Sequence, residues 1–289
     1  MIVLITGASS GIGLQAAVEL ARRGETVVAS MRDTRRSTAL LEAAKSAGVS
    51  VDVAELDVTD RTSVTAAIDG VIERHGRIDV VVNNAGVWTV GPLEHLSDDE
   101  TSGMIDTNLA GTVRVIQATV GHMRSQGGGR IINVGSAVAD PGHGVRLVAL
   151  YSATKAALRS LSFELAKELR PVGIDVVHLE GGIRGQTGMW ANAGAKLESF
   201  SADSPYREVE AIAARQMRAA IAGQSDPSGA AKIMADACTV ESPAIRHPPE
   251  AQSGSWGLIT DEEFIQLCDG ADPAPINERH GIDFSFWGI

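Results

Sequence analysis

Short apolar runs alternate with amphipathic stretches along most of the chain. The first run, Ile2–Ile5, predicts a buried strand, and the apolar spacing over 11–23 predicts a helix that stops at Gly24. The alternation continues, with strands predicted at 26–29, 49–56 and 78–82 and helices at 38–47 and 62–75. Repeated strand–helix units predict a parallel sheet with helices on both faces.

The second half extends this pattern and then loses it. The predicted elements are a long helix over 98–124, a strand over 130–134, a helix over 150–170 stopped by Pro171, and a strand over 174–179. With right-handed crossovers, this order gives a three-layer α/β/α domain on a doubly wound parallel sheet. A flexible flap is predicted at 185–204, and helices at 206–222 and 226–238. We therefore expect one domain over 1–247, with 248–289 as a C-terminal extension packed on it.

Composition changes the picture mainly by exclusion. Hydrophobic residues make up 44% and charged residues 21% of the chain, which is typical of a globular protein. The net charge of -11 repels phosphate backbones, so we expect no nucleic-acid partner. With no bilayer-spanning apolar run and no signal peptide before the first strand, a cytoplasmic location without membrane contact is expected. Cys238, Cys268 and the seven histidines lack metal-ligand spacing, so we expect no metal and no disulfide.

Three glycines stand between the first strand and the first helix, in Thr6-Gly7-Ala8-Ser9-Ser10-Gly11-Ile12-Gly13. They permit a tight turn and let backbone N–H groups approach a pyrophosphate, to which the helix N-terminus adds partial positive charge. An ordinary glycine-rich turn is the alternative, but the position directly after the first strand favours dinucleotide binding. The expected cofactor contacts are Gly7, Ser9, Ser10, Gly11, Ile12 and Gly13.

A second cluster of candidate residues carries acid/base chemistry. Tyr151 and Lys155 lie four apart on a predicted helix, so they share one face, where the ammonium is expected to lower the phenol pKa. Tyr151 would then act as base in alcohol oxidation and as acid in ketone reduction. Ser136 follows the strand over 130–134, at the carboxyl edge where such sheets bind ligands, and can polarise a substrate carbonyl. The alternatives are a surface Tyr–Lys pair and a turn serine.

The end of the second strand bears on the choice of nicotinamide cofactor. A carboxylate there accepts hydrogen bonds from a ribose 2′-OH, whereas a cation there binds a 2′-phosphate. The strand is expected to end near Met31, with Arg32 next and Asp33 as the cap of a following turn. This arrangement predicts NADP(H) in preference to NAD(H). If the strand ran further, Asp33 would serve as the carboxylate and NAD(H) would be used.

The glycine spacing G-x-x-x-G-x-G, the run Asn83-Asn84-Ala85-Gly86 and the run Tyr151-Ser152-Ala153-Thr154-Lys155 occur in this order. Together they resemble the short-chain dehydrogenase/reductase family over roughly residues 1–180. The resemblance implies a Rossmann-like fold and an NAD(P)(H)-dependent oxidoreductase that interconverts an alcohol and a ketone or aldehyde. The segments around Tyr206, Pro227 and Arg246 are similar to the branch of 17β-hydroxysteroid and retinol dehydrogenases.

The resemblance also implies roles for single residues. Asn108 would disturb its helix and hold a water beside Lys155, which would also bind the nicotinamide ribose. The adenosine side would be lined by Asp57, Val58, Asn83, Ala85 and Gly86. The carboxamide side would be lined by Gly182, Ile183 and Thr187. Two departures stand beside these roles: Gly181 replaces an expected proline, and positions 136 and 151 lie 15 apart, a longer loop than the family pattern.

Other functions remain open at this point. A 3-ketoacyl reductase, acting on carrier-protein or CoA substrates, is one alternative, although an acidic carrier would prefer a basic rim. A non-catalytic protein that senses NADP, or a structural subunit, would need the glycine motif but not Asn108, Ser136, Tyr151 and Lys155. We expect a homodimer or homotetramer formed through the helices at 98–124 and 150–170, whose apolar positions include Val113, Ile116, Leu158 and Leu161.

Overall fold

A computed structural model describes residues 1–139, 146–179, 203–222 and 228–247, together with the single positions 196, 266 and 275. Parallel strands form one sheet in the order β3-β2-β1-β4-β5-β6-β7. The strands are β1 Ile2–Ile5, β2 Thr26–Met31, β3 Asp52–Glu55, β4 Val80–Asn83, β5 Gly129–Val134, β6 Ile174–Leu179 and β7 Arg246–His247. The strand order reverses between β1 and β4, which confirms the predicted doubly wound, Rossmann-like sheet.

Helices cover both faces of this sheet. They are α1 Gly11–Arg22, α2 Thr38–Ser46, α3 Arg61–His75, α4 Asp98–Ile105, α5 Thr112–Ser125, α6 Ala149–Leu169, α7 Arg207–Ala222 and α8 Ser228–Thr239. Successive strand residues point to opposite faces. In β1, Val3 and Ile5 therefore pack with α1, α2 and α8, whereas Leu4 packs with α3, α5 and α6. Two apolar cores enclose the sheet and leave its carboxyl edge for the loops.

The long helix expected over 98–124 is wrong in one respect. It is interrupted by a π-helical segment, Asp106–Gly111, between α4 and α5. The hydroxyl of Thr112 donates to the Asn108 carbonyl over 3.3 Å within this wider turn. A π turn holds one more residue than an α turn, and such insertions are frequent at functional sites.

Two strand predictions also differ from the structure. The strand expected over 49–56 is the shorter β3. Val49 and Val51 pack against the core formed with α1 and α2 without joining the ladder. β7 has only two residues, Arg246–His247, so no period-two pattern could reveal it, and it pairs in parallel with the end of β6. The expected boundaries of β1 and β6 are confirmed.

The positions offered for self-association divide into two groups. Ile116 and Leu158 are buried within the chain's own core, so they do not argue for a partner. Val113 and Leu161 stay half-buried on α5 and α6. The homo-oligomer therefore remains a prediction with a weaker sequence argument. The proposed extension over 248–289 lies outside the described residues, apart from positions 266 and 275.

The described part of the chain offers neither a membrane span nor a metal-binding cluster. Within it, no helix has the length and apolarity to cross a bilayer. Nor do three or more His, Cys, Asp or Glu side chains there converge on a point where a metal ion would fit.

A buried polar chain crosses the sheet beneath its carboxyl edge. Asn83 donates to Asn133 over 2.9 Å, and Asn133 donates to the Ser162 hydroxyl over 2.9 Å. Ser162 donates its single hydrogen to the Leu158 carbonyl over 2.7 Å and lies 3.4 Å from Nδ1 of His178. With its hydrogen committed, Ser162 accepts from both neighbours, which places a proton on Nδ1 of His178. One hydroxyl therefore satisfies side chains from both β5 and β6.

Removing that hydroxyl should destabilise the fold measurably. We expect Ser162→Ala to lower the free energy of unfolding by about 2 kcal/mol, because buried donors of Asn133 and His178 lose their acceptor. Ser125→Ala is the matched control, since Ser125 makes the same bond to the carbonyl four residues earlier, over 2.9 Å, on an exposed helix end. Urea unfolding of both variants checks this, and equal losses would contradict the assigned role of Ser162.

Candidate active site

The glycine motif forms a loop that only small residues can build. Gly7 has a φ of +67°, and a Cβ on it would lie 2.8 Å from the Ala85 Cα. A Cβ on Gly13 would lie 2.5 Å from the Asn84 amide nitrogen and 2.8 Å from the Gly7 carbonyl oxygen. Helix α1 thus starts in close contact with the end of β4, at the point where the strand order reverses.

The N-terminus of α1 suits an anion. Ser10 occupies the N-cap position in an extended conformation, yet its side chain makes no capping hydrogen bond, and the first turn carries no acidic residue. Its backbone N–H groups therefore face outward with the positive end of the helix dipole. Gly11 and Ile12 lie in this first turn, and Ser9 precedes it half-buried. The donor set fits the pyrophosphate of a dinucleotide.

Within the Asn83-Asn84-Ala85-Gly86 run, the first residue supports the sheet and the others contact the glycine loop or the catalytic cluster. Asn83 is buried and joins the polar chain beneath the sheet, so its side chain supports β4. Asn84, which sequence reasoning did not select, donates to the carbonyls of Thr6 and Gly7 over 2.9 and 3.1 Å. Ala85 rests on Gly7, and a Cβ on Gly86 would lie 3.4 Å from the Asn108 Oδ1 and 4.0 Å from the Lys155 Nζ.

The end of β2 matches the expectation for its residues. The strand ends at Met31, Arg32 follows exposed, and Asp33 caps a 3-10 turn at Thr34–Ser37. The Asp33 carboxylate accepts from the Arg35 backbone N–H over 3.0 Å and from its guanidinium over 2.9 and 3.1 Å. Hydrogen bonds from Arg35 lower the pKa of Asp33. Asp33 is thus committed to its own turn, while Arg32 is exposed at the strand end.

Asp57 and Val58 follow β3 at the same edge. Oδ1 of Asp57 accepts from the Thr59 backbone over 2.9 Å and from its hydroxyl over 2.7 Å. Val58 is buried against Gly111, where a Cβ would approach its Cγ2 to 2.8 Å. Arg114 donates to the Val58 carbonyl over 3.2 Å. These contacts fix the segment that is proposed to line the adenine.

Helix α6 and strand β5 bring the expected catalytic side chains together. Tyr151 is 6% exposed and is hydrogen-bonded to Ser136. Lys155, one turn later, is 5% exposed, and its Nζ donates to the Val134 carbonyl over 2.7 Å. That Nζ lies 5.9 Å from the centre of the Tyr151 ring. The tyrosine, serine and lysine selected from the sequence therefore form one cluster at the carboxyl end of β5.

The electrostatics of this cluster differ from the sequence expectation. Burial raises the pKa of Tyr151 above its usual value of 10.0, and the hydrogen bond to Ser136 offsets part of that rise. Burial lowers the pKa of Lys155 to about 8. The expectation of a lowered phenol pKa is therefore wrong for this structure, because burial has the largest effect on Tyr151 and raises its pKa. The buried phenol keeps its proton at neutral pH and is suited to donate it.

Asn108 lies in the π segment and points into the site. Its Oδ1 accepts from the Val87 N–H over 2.8 Å, and its Nδ2 donates to the Val87 carbonyl over 2.9 Å. Nδ2 also lies 3.2 Å from the Thr154 hydroxyl, which in turn donates to the Tyr151 carbonyl over 2.8 Å. Asn108 therefore links the loop after β4 to helix α6, and the helix distortion that the family resemblance implied is present around it.

Trp88 is a site residue that sequence reasoning missed. Its ring stacks on Tyr151 with centroids 5.4 Å apart and planes 16° from parallel. Val90, Val148 and Met217 form a small apolar cluster beside it, against which Trp88 and Leu147 also pack. A lone aromatic in a loop has no periodicity, so no sequence pattern could have marked it.

Part of the predicted site cannot be placed. Gly182, Ile183 and Thr187 lie outside the described residues. Of the flap expected over 185–204, Lys196, Asp203 and Ser204 are described. Lys196 pairs with Glu100, the third residue of α4, and hydrogen bonds from Lys196 and Ser97 lower the pKa of Glu100 to about 2. This ion pair joins Lys196 to the first turn of α4.

Comparison with known proteins agrees with this geometry. The family model for short chain dehydrogenases matches residues 1–198. Human 17-beta-hydroxysteroid dehydrogenase type 1 is 41% identical over 187 residues, which are 63% of this chain and only 56% of that enzyme. A monensin polyketide synthase putative ketoacyl reductase from Streptomyces virginiae is 41% identical over 177 residues, 61% of this chain and 67% of that protein.

A solved structure extends the likeness over the whole fold. The crystal structure of a short-chain dehydrogenase from Streptomyces avermitilis superimposes with a TM-score of 0.72 at 30% identity, covering 97% of this chain and 96% of that one. The family match alone covers more than half of the 289 residues. The chain therefore belongs to the short-chain dehydrogenase/reductase family.

Proposed function

We propose that this protein is an NADP(H)-dependent oxidoreductase that interconverts a small-molecule alcohol and the corresponding ketone or aldehyde, with Tyr151 as acid/base. The observation that carries the proposal is the buried cluster of Tyr151 hydrogen-bonded to Ser136, with Lys155 one helical turn away. Enzymes of this family use NAD(P)(H). The open N-terminus of α1 would hold the pyrophosphate of such a cofactor, and the exposed Arg32 would bind its 2′-phosphate.

In carbonyl reduction, the hydroxyls of Ser136 and Tyr151 both donate to the substrate oxygen. The two hydrogen bonds polarise the carbonyl and stabilise the negative charge that develops on oxygen. Tyr151 then transfers its proton to that oxygen, which leaves a phenolate and an alcohol. A nicotinamide cofactor held at the N-terminus of α1 would supply the hydride that the carbonyl carbon gains. In oxidation each transfer runs in reverse, and Tyr151 must start as the phenolate.

The raised pKa of Tyr151 decides which protonation state the resting site holds at a given pH. A phenol that keeps its proton at neutral pH is ready to act as the acid of reduction, but it is rarely available as a base. Lys155 is fixed to strand β5 one helical turn away, and Asn108 holds the loop after β4 against the same helix. We therefore propose carbonyl reduction as the favoured direction near pH 7, with oxidation gaining at alkaline pH.

The residues beside Tyr151 also indicate a class of substrate. Trp88, Leu147 and Met217 give the site an apolar wall beside Tyr151, which favours an uncharged, largely apolar carbonyl compound. Steroid and retinoid ketones or alcohols fit this description. A 3-ketoacyl thioester is the second candidate, favoured by the similarity to the Streptomyces ketoacyl reductase. A net charge of -11 argues against an acidic carrier protein as its bearer.

A panel of steroids, retinoids, sugars and ketoacyl thioesters, followed by cofactor absorbance, tests this choice. Turnover of any of them excludes the NADP-sensing regulator and the structural subunit. The predicted homodimer or homotetramer, the cytoplasmic location and the extension over 248–289 stay predictions beside this function.

The first test removes the acid/base. Tyr151→Phe deletes the only hydroxyl proposed to exchange the substrate proton, so we expect kcat to fall by about 10²–10⁴-fold. Steady-state turnover and cofactor binding by fluorescence check this, and binding should survive. Tyr206→Phe is the matched control, because it alters the only other tyrosine and should keep wild-type turnover. Wild-type kcat in Tyr151→Phe would refute the assignment.

The second test concerns cofactor choice. Arg32→Ala removes the cation proposed to bind the 2′-phosphate, so kcat/KM with NADP(H) should fall by about 10- to 100-fold, the worth of a charged hydrogen-bonded pair. Efficiency with NAD(H) should stay within about threefold. Arg22→Ala, an exposed arginine at the opposite end of α1, is the control. A wild type that prefers NAD(H) would sink the proposed preference.

The third test follows the buried lysine through pH. The pKa of Lys155 is about 8 when folded against 10.5 as the ordinary value, so between these pH values the unfolded chain binds more protons. Stability of the cofactor-free protein should therefore rise with pH across this window. Relative to Lys155→Met, wild type should gain roughly 2 kcal/mol between pH 7 and pH 9.5.

Urea unfolding at the two pH values measures this gain. Lys45→Met, at an exposed lysine, is the control and should not depend on pH in this way. A constant difference in unfolding free energy between wild type and Lys155→Met would mean that Lys155 titrates normally when folded.

A further inference from the structure

Trp88 is held in place by the backbone on either side of it. The preceding residue, Val87, is gripped through both its N–H and its carbonyl by the Asn108 amide, over 2.8 and 2.9 Å. Three residues after Trp88, the Gly91 N–H donates to the Leu147 carbonyl over 2.9 Å. Both ends of this short segment are therefore fixed to other elements, and its central ring has little freedom to move.

The ring that Trp88 covers belongs to Tyr151. At 5.4 Å between centroids and 16° between planes, the two rings stack in near-parallel planes. One face of the phenol is thereby closed to water, and Tyr151 keeps only 6% of its surface exposed. Tyr151 has two covalent rotations, and a rigid aromatic plane against its ring restricts both.

We propose that Trp88 is a positioning residue for Tyr151: its indole fixes the plane of the phenol beside Ser136 and keeps water from one face of the ring. The inference rests on the proposed function, because the ring it positions is the acid/base. Trp88 itself need not touch the reacting atoms. Burial as the main cause of the raised Tyr151 pKa agrees with this role.

The role has consequences that a merely structural residue would not share. Without the indole, water reaches the phenol face and stabilises the phenolate, so Tyr151 should ionise at lower pH. The ring should also sample orientations away from Ser136, which lowers kcat more than it raises KM. Trp88→Phe keeps an aromatic plane and should change both properties least, whereas Trp88→Ala removes the plane entirely.

The composition of the chain makes a direct measurement possible. There are only two tyrosines, Tyr151 and Tyr206, so a Tyr206→Phe background leaves one tyrosine resonance when the ring is labelled with ¹³C at Cζ. Titration of cofactor-free protein then reports the ionisation of Tyr151 without any turnover. We expect the midpoint to move to lower pH in Trp88→Ala and to stay near the background value in Trp88→Phe.

Activity provides the second readout. In Trp88→Ala, kcat for ketone reduction at pH 7 should fall by about three- to tenfold, the worth of one aromatic pair, and the alkaline loss of reduction should begin at lower pH. Trp88→Phe should retain kcat within about threefold. If Trp88→Ala does not fold by circular dichroism, Trp88→Leu, which keeps apolar volume without the ring plane, takes its place.

The outcomes separate this inference from the function on which it rests. An unchanged Tyr151 titration in the ring-free variant overturns the role of Trp88, even if Tyr151→Phe is inactive. An active Tyr151→Phe overturns the proposed function, whatever the titration shows. The role of Trp88 would also be overturned if the Tyr151 titration midpoint shifted equally in Trp88→Phe and Trp88→Ala, since the ring plane would then be irrelevant.

Discussion

The hydrogen bond from the buried Lys155 ammonium to the Val134 carbonyl joins the two elements on which the site depends. Helix α6 carries Tyr151, and strand β5 ends two residues before Ser136. A charged group with this little exposure is stable only when a strong acceptor faces it, and the carbonyl of Val134, the last residue of β5, provides one. The bond therefore holds the helix that carries the tyrosine against the strand that leads to the serine. Burial of the ammonium lowers its pKa despite this bond.

Much of the fold follows from local patterns in the sequence. β1 begins and ends where its apolar run does, because a strand buried on both faces needs apolar side chains. β6 keeps its predicted bounds although Asp175 and His178 interrupt its apolar run. The placing of Asp33 as a turn cap also followed from its chemistry and from the length of β2. The catalytic cluster was accessible for a similar reason. Tyr151 and Lys155 share a helix, and Ser136 follows a strand whose end was clear.

What the sequence could not supply depends on contacts between distant segments. Asn83 and Asn84 are the same residue type side by side, yet one is buried toward Asn133 and the other binds the glycine loop. The two side chains differ because Asn83 is the last residue of β4, whereas Asn84 already lies in the loop where the chain leaves the sheet. Trp88 likewise acquires its partner only when the loop after β4 meets α6. The sign of the Tyr151 pKa shift depends on burial, which spacing along a helix does not report.

The π segment also changes how the following helix must be read. An extra residue in one turn rotates all later side chains by about 100° around the helix axis. Positions after Gly111 therefore follow a different helical phase from those of α4, and Ile116, after the insertion, is buried in the core. The insertion rotates the side-chain positions of α5 around the helix axis relative to those of α4. It turns Asn108 toward Val87 and the site while α4 and α5 each keep their own apolar face on the protein.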